Sequence, residues 1–160
     1  MASRYKGPLR AYRIADRRRH VFDGAGAAQF GGRWSSPGRR VIYAALSYAG
    51  AMLEILAHTG TGSVPKYQVA IEILIPEPVD IEEATAGDVS GWDQPNLIAS
   101  RKYGDRWFQG GRTAVLVVPS VVSRHDRNVL INQDHPQFPL ITASGPQPVI
   151  WDERLFRHRS

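Results

Sequence analysis

Phe30-Gly31-Gly32-Arg33-Trp34, followed by the apolar run Val41-Ile42-Tyr43 and then by Glu54, is the stretch on which the reading of this chain turns. A loop that brings its backbone close to something uses glycine, which tolerates unusual dihedrals and carries no side chain to obstruct the approach. Arg33 fits such a loop. Its planar, permanently charged fork of donors matches the two oxygens of a phosphate or carboxylate better than a lysine does. The first expectation is therefore an anion pocket beside a β-strand. The plain alternative is a turn with a surface arginine and a half-buried tryptophan, and these five residues do not separate the two.

Downstream, Ser36-Pro37-Gly38 makes a turn, and Arg40 to Ala44 reads as a strand rich in branched and aromatic residues, with Tyr43 near its end. Ser47 is the expected N-cap of a helix to about His58, stopped by Thr59-Gly60-Thr61-Gly62. At about 100° per residue, Met52, Leu53 and Leu56 fall on one side of that helix, and Ser47, Ala51, Glu54 and His58 fall on another. Small residues around Glu54 leave room for a ligand or another segment to approach it. The bland reading of this stripe is the solvent face of an amphipathic helix.

Upstream, Leu9 to Ile14 reads as a short strand, followed by a polar loop through Asp23-Gly24-Ala25-Gly26. Lys66 to Ile75 alternates as a strand with Tyr67, Val69, Ile71, Ile73 and Ile75 on one face, and Val79 to Ile81 continues it as a short one. Ala84 to Asn96 is a run of turns anchored by Trp92. Leu97 to Phe108 reads as a helix with Ile98, Tyr103, Trp107 and Phe108 as partial core, interrupted at Gly104. Thr113 to Val118 is the most apolar strand, closed by Pro119-Ser120. Val129 to Ile131, Leu140 to Ala143 and Pro148 to Trp151 supply the remaining strands. About six or seven strands and two or three helices, with the strands mostly consecutive in the second half, argue for an α+β domain with mixed, mostly antiparallel sheets.

At 160 residues and 42% hydrophobic, the chain is the size of one domain and buries a core without staples. It has no cysteine, which excludes thiolate zinc sites, a disulfide framework and thiol nucleophiles, and which fits a reducing cytoplasm. Met1 to Arg10 carries charges and a proline with no apolar stretch behind it, so neither a signal peptide nor an anchor is expected there. No apolar run is long enough to span a bilayer. The net charge of +5 invites a nucleic-acid reading. Its arginines cluster at Arg17-Arg18-Arg19, Arg39-Arg40 and the tail from Arg154 to Arg159, without any zinc-finger, basic-zipper or RNA-binding signature beside them. A basic nucleic-acid module is thus the competing class, and an anionic small molecule or acidic protein partner accounts for the charge equally well.

Taken in order along most of the chain, these blocks resemble the RES domain, the toxin half of a bacterial toxin–antitoxin pair. The resemblance rests on Tyr12-Arg13, Gly31-Gly32-Arg33-Trp34, Val41-Ile42-Tyr43-Ala44, Ala51 to Glu54 with Leu56 and His58, and Gly91-Trp92. It continues through Gly104-Asp105 with Trp107, Ala114-Val115-Leu116, Val118-Pro119-Ser120, Asn128 to Asn132, His135-Pro136 and Trp151 to Leu155. Two departures stand out. Ser35 replaces a frequent asparagine, and Asn132-Gln133 replaces a frequent Asn-Pro. Arg33, Tyr43, Glu54 and Ser120 match the family's functional set. The resemblance implies one RES-like domain over residues 1–160 with a fold similar to ADP-ribosyltransferases, and a cytoplasmic toxin that consumes NAD by hydrolysis or phosphorolysis or transfers ADP-ribose to a protein. It also implies an Xre-like DNA-binding antitoxin as partner; self-association stays open.

The residues suit that chemistry. Breaking the bond between nicotinamide and ribose builds positive charge on the sugar, which a carboxylate stabilises, and Glu54 is the expected group. Arg33 is expected to clamp the pyrophosphate or a ribose, with Arg13 as a further phosphate contact and Trp34 beside it in the NAD site. Tyr43 offers a flat face for the nicotinamide and a hydroxyl to orient it. Ser120 is expected to bond the ribose, to hold Glu54, or only to end a strand, and His58 to orient Glu54 or only share its face. Gly24-Ala25-Gly26 is not expected to open a helix, so NAD enters as a substrate and not through a dinucleotide fingerprint. No cofactor and no metal are expected, since the histidines lack paired spacing.

Overall fold

A computed structural model describes residues 2–60 and 62–157 of the chain, so Thr61 of the expected helix stop and the end of the basic tail lie outside the described residues. In chain order the strands are β1 (Ser3–Lys6), β2 (Leu9–Asp16), β3 (Val41–Ala45), β4 (Gln68–Ile75), β5 (Asp80–Glu83), β6 (Val115–Pro119), β7 (Arg127–Asn132), β8 (Thr142–Ala143) and β9 (Gln147–Pro148). The helices are α1 (Ala25–Phe30), α2 (Tyr48–Thr59) and α3 (Ile98–Gly110). All described strands join one sheet in the order β1-β5-β6-β7-β3-β2-β4-β8, with β9 also on β4. Only β5 and β6 pair in parallel. The mixed, mostly antiparallel α+β architecture expected from the strand order is the one observed.

The apolar run at β6 explains the layering. All five of its residues are buried because both faces are covered. Val115 and Val117 join Ile42, Ile73, Ile81, Val129 and Ile131 in one core. Leu116 and Val118, on the opposite face, join Leu130 with Trp34, Trp92 and Trp107 in a second. A strand buried on both sides reads as a continuous hydrophobic run instead of an alternation. The amphipathic β4 keeps the alternation, with Ile71, Ile73 and Ile75 inside and Leu74 exposed. Helix α2 lies over Ile14, Ala45 and Ala70 through Ala51, Met52 and Ile55.

The feature that makes a site is a split in the sheet. Strand β2 pairs with β4 over its whole length, from Leu9↔Ile75 to Asp16↔Gln68, and β3 pairs with β7 from Val41↔Asn132 to Ala45↔Asn128. Between β2 and β3 the register holds only Tyr12↔Ala45. Backbone groups on either side of the gap then need other partners, because an unpaired buried carbonyl is costly. Arg13 supplies one of them. Its Nη1 donates to the Tyr43 carbonyl at 2.7 Å, in place of a missing ladder bond.

Several local expectations are corrected. Gly24-Ala25-Gly26 does open a helix, the six residues of α1, although it follows a loop and has no side-chain cap. Its Gly24 N–H is instead received by the Gln133 side chain at 2.7 Å, so the departure at Gln133 has a structural use. Gly104 does not interrupt α3 but lies buried within it. Ile98, expected in the partial core of α3, is 68% exposed and lies outside it. The short edge strand β1 escaped the sequence reading, and the last strand lies at Gln147–Pro148, meeting the expected Pro148 to Trp151 only at Pro148.

Candidate active site

The loop from Gly31 to Ser36 is built around close approaches. Gly31 adopts φ +73, and the Gly32 N–H donates to the Ser35 carbonyl at 2.8 Å to close a tight turn. A Cβ on Gly32 would lie 2.5 Å from the Tyr43 Oη, so only glycine lets the tyrosine reach under the turn. There its hydroxyl accepts from the Trp34 N–H at 3.1 Å and shares a 2.7 Å bond with Ser35 Oγ. Ser35 thus keeps a hydrogen bond where the family often has asparagine. Helix α3 holds the loop from the other side. Ser100 Oγ donates to the Arg33 carbonyl at 2.6 Å, Arg101 Nε to the Gly32 carbonyl at 2.9 Å, and Asp105 accepts from both the N–H and the hydroxyl of Ser36.

Tyr43 and Trp34 therefore have structural work in the loop beside their places on the cavity walls. The Tyr43 hydroxyl, expected to orient a substrate ring, is committed to the loop. Burial pushes its pKa up to about 12. Its folded value then exceeds its unfolded value near 10.0, so the stability it contributes is complete below pH 10 and is lost as pH rises toward 12. The alkaline fall in stability, followed by urea unfolding at stepped pH, is expected to be shallower in Tyr43→Phe than in the parent chain. An identical slope in both would contradict this, the burial of Tyr5 and Tyr103 raising their pKa values in both proteins alike. Trp34 is 2% exposed, and its indole stacks on Trp92 at 6.1 Å between centroids. The indole anchors the loop, and the residue also lines the second cavity.

Glu54 is fixed by its neighbours. Helix α2 starts at Ser47, whose Oγ accepts from the Gly50 N–H and donates to Asp126 Oδ2, both at 2.9 Å. Two turns on, Glu54 Oε1 receives Ser120 Oγ at 2.9 Å and Asn128 Nδ2 at 2.8 Å. Ser120 also accepts from the Ser123 N–H at 3.1 Å, so it both ends the strand and holds Glu54. At 2% exposure it is a support and not a surface for the ribose. Asn128 entered the sequence reading only as the first residue of the block Asn128 to Asn132, and not as a site residue. The available signal was a polar residue beginning the apolar strand Val129-Leu130-Ile131, and it needed the register Ala45↔Asn128 to bring it under α2.

Two cavities of about 460 and 420 Å³ open along the split and share Arg13, Tyr43, Glu54, His58 and Asn128 in their walls. The first reaches Tyr12, Ala45 and Ala51; the second runs under the glycine loop past Phe30, Arg33 and Pro119. Both sizes suit small-molecule sites. Arg13 Nε also donates to the Val21 carbonyl at 2.7 Å, and burial pulls the pKa of its guanidinium down from the usual range. Arg33 Nη1 donates to the carbonyls of Trp92 and Gln94 at 3.2 and 3.1 Å, which fixes its side chain along the second cavity. His58 lines both cavities from the exposed last turn of α2, and among the described residues no hydrogen bond joins it to Glu54. Among the described residues, no group of three His, Asp or Glu side chains is placed to hold a metal ion.

The RES domain family model matches residues 10–152. This chain belongs to the RES domain family. A relative from Sphingobium sp. (strain YBL2), described as a Prs ADP-ribosylating toxin, is 40% identical over 138 residues, covering 84% of this chain and 86% of the relative. Proteins described as Toxin Res from Photorhabdus laumondii and Yersinia enterocolitica are 34% and 31% identical, covering 70% and 90% of this chain and 72% and 97% of their own lengths. Among solved structures, the M. tuberculosis MbcT–MbcA toxin–antitoxin complex contains a chain that superposes with a TM-score of 0.71 at 16% identity. That match covers 90% of this RES chain and 85% of the other, and it is a likeness of fold.

Proposed function

We propose that this RES-family chain is the toxin of a toxin–antitoxin pair and that it cleaves the bond between nicotinamide and ribose in NAD. The observation that carries the reading is Glu54, held by two donors on a single carboxylate oxygen where two cavities meet, with Arg13 and Arg33 on the walls. One cavity is available for each half of a dinucleotide. Arg33 would meet its pyrophosphate or adjacent ribose, and the ring face of Tyr43 would lie against the nicotinamide.

As the bond breaks, its electron pair leaves with nicotinamide, which departs neutral, and positive charge develops on the anomeric carbon and ring oxygen. Glu54, anchored through Oε1, would place negative charge next to that carbon without reorganising during the reaction. The acceptor then bonds to the anomeric carbon. Water or a protein nucleophile gives up a proton, and phosphate adds as the anion. No metal is needed for these steps.

Transfer to a protein is the second reading, favoured by the 40% identical relative described as an ADP-ribosylating toxin. The partner we propose is a cognate Xre-like DNA-binding antitoxin. The fold neighbour's capture in a toxin–antitoxin complex supports an antitoxin of some kind. We place the activity in the cytoplasm, where a DNA-binding antitoxin would meet the toxin.

Purified chain incubated with NAD, alone, with phosphate and with a bacterial lysate, is expected to release nicotinamide. Mass analysis then identifies ADP-ribose, its phosphate adduct or an ADP-ribosylated protein as the other product. NAD left intact in all three by folded protein would overturn the reading.

A further inference from the structure

Asn128 has two ends, and the site accounts for only one. Its amide nitrogen donates to Glu54 Oε1 at 2.8 Å, and because a carboxylate only accepts, that end of the amide must be the NH₂. The carbonyl Oδ1 is consequently the other end. It has no protein donor among the described residues, while Asn128 forms part of the wall of both cavities. Glu54 Oε2 is in the same position, since Ser120 and Asn128 both use Oε1. Two acceptors joined through one hydrogen bond thus border the junction of the cavities. Arg13, fixed on backbone carbonyls, lines the same two cavities.

A pair of adjacent acceptors complements a pair of adjacent donors, and the vicinal hydroxyls of a ribose are such a pair. We infer that Asn128 is a specificity-determining residue that accepts a hydrogen bond from one ribose hydroxyl through Oδ1 while its Nδ2 holds Glu54, whose Oε2 receives the neighbouring hydroxyl. The inference rests on the NAD-cleaving reading and adds to it a residue that reads the sugar. The strand supports this role. Asn128 sits opposite Ala45 on β3 and Val118 on β6, so the backbone of a central strand sets its place. A site built to pair with a substrate hydroxyl rejects the analogue that lacks it, because its own acceptor is then left unpaired.

The test compares kcat/KM on NAD with that on two analogues, lacking the 2′ or the 3′ hydroxyl of the nicotinamide-bearing ribose. The parent chain is expected to lose about tenfold or more on each analogue, the loss of a net hydrogen bond at this kind of site. Asn128→Ala is expected to lose a similar factor on NAD itself and to treat NAD and one of the two analogues alike. Asn128→Asp is nearly isosteric and keeps an acceptor toward the cavity, while setting a second carboxylate against Glu54. It is expected to turn over more slowly yet to retain the discrimination. If Asn128→Ala keeps the parent's preference against both analogues, or the parent shows none, the inference is wrong. Failure of the parent to cleave NAD at all is seen before any variant is made and overturns the NAD reading, and the inference with it.

Discussion

Glu54→Gln is expected to lower kcat by about 10²- to 10³-fold, the usual cost of removing one electrostatic stabiliser of a transition state. The substitution isolates charge from shape. A glutamine carbonyl in place of Oε1 still accepts from Ser120 Oγ and Asn128 Nδ2, so the clamp and the packing of α2 survive. What goes is the negative charge beside the developing cation. The loss should therefore fall mainly on kcat, with a smaller rise in KM because the glutamine NH₂ in place of Oε2 no longer accepts from a ribose hydroxyl. The thermal midpoint should move by no more than a few degrees, on the order of 1 kcal/mol for a domain of this size. Turnover retained within about threefold, a change below 1 kcal/mol in barrier, would show that another group carries the charge.

Gly104→Ala is expected to have the largest effect on stability. Helix α3 comes so close to the Arg33-Trp34 segment at this point that an added Cβ would sit 1.6 Å from the Trp34 carbonyl oxygen. Neither side yields easily. The carbonyl belongs to a loop whose indole is locked against Trp92, and the helix is held by the buried Trp107, whose Nε1 donates to Thr113 Oγ1 at 2.9 Å. Accommodating the methyl requires α3 to retreat and so to release the contacts of Ser100, Arg101 and Asp105 with the loop. We expect a loss of about 3 kcal/mol, the upper part of the range for overpacked sites. Urea unfolding measures it, and activity should fall as well because Arg33 loses its frame. An unchanged midpoint would show that the loop and helix separate freely. It would then remove the reason for a glycine in the middle of α3.

The same contact shows where sequence reading stops. Gly104 in a helical pattern counts as a weakness when only propensity is weighed, and its use is visible only once Trp34, far away in the chain, is placed against it. Elements with strong local signals were legible: the Ser47 cap, the alternation of β4 and the unbroken apolar run of β6. So was the open approach to Glu54, from its small-residue stripe, and the structure puts that residue on the walls of both cavities. Arg33, Tyr43, Glu54 and Arg13 do gather around one pair of cavities, as the residue types suggested. The division of labour among them was not legible, because hydrogen bonding between distant segments decides it. Tyr43 spends its hydroxyl on Ser35 and the Trp34 N–H, and Ser120 spends its own on Glu54. Asn128 looked like the polar start of an apolar strand until the register of β7 against β3 set it beneath α2. The sheet split was equally hidden, since nothing in β2 or β3 alone announces that they meet at Tyr12↔Ala45 only.

The most direct test of the account is the release of nicotinamide from NAD by the purified chain, measured side by side for the parent and Glu54→Gln under conditions where both are shown to be folded. The account predicts steady release by the parent and a rate lower by about 10²-fold or more in the variant. Equal release by the two proteins, or none from the parent, would contradict it.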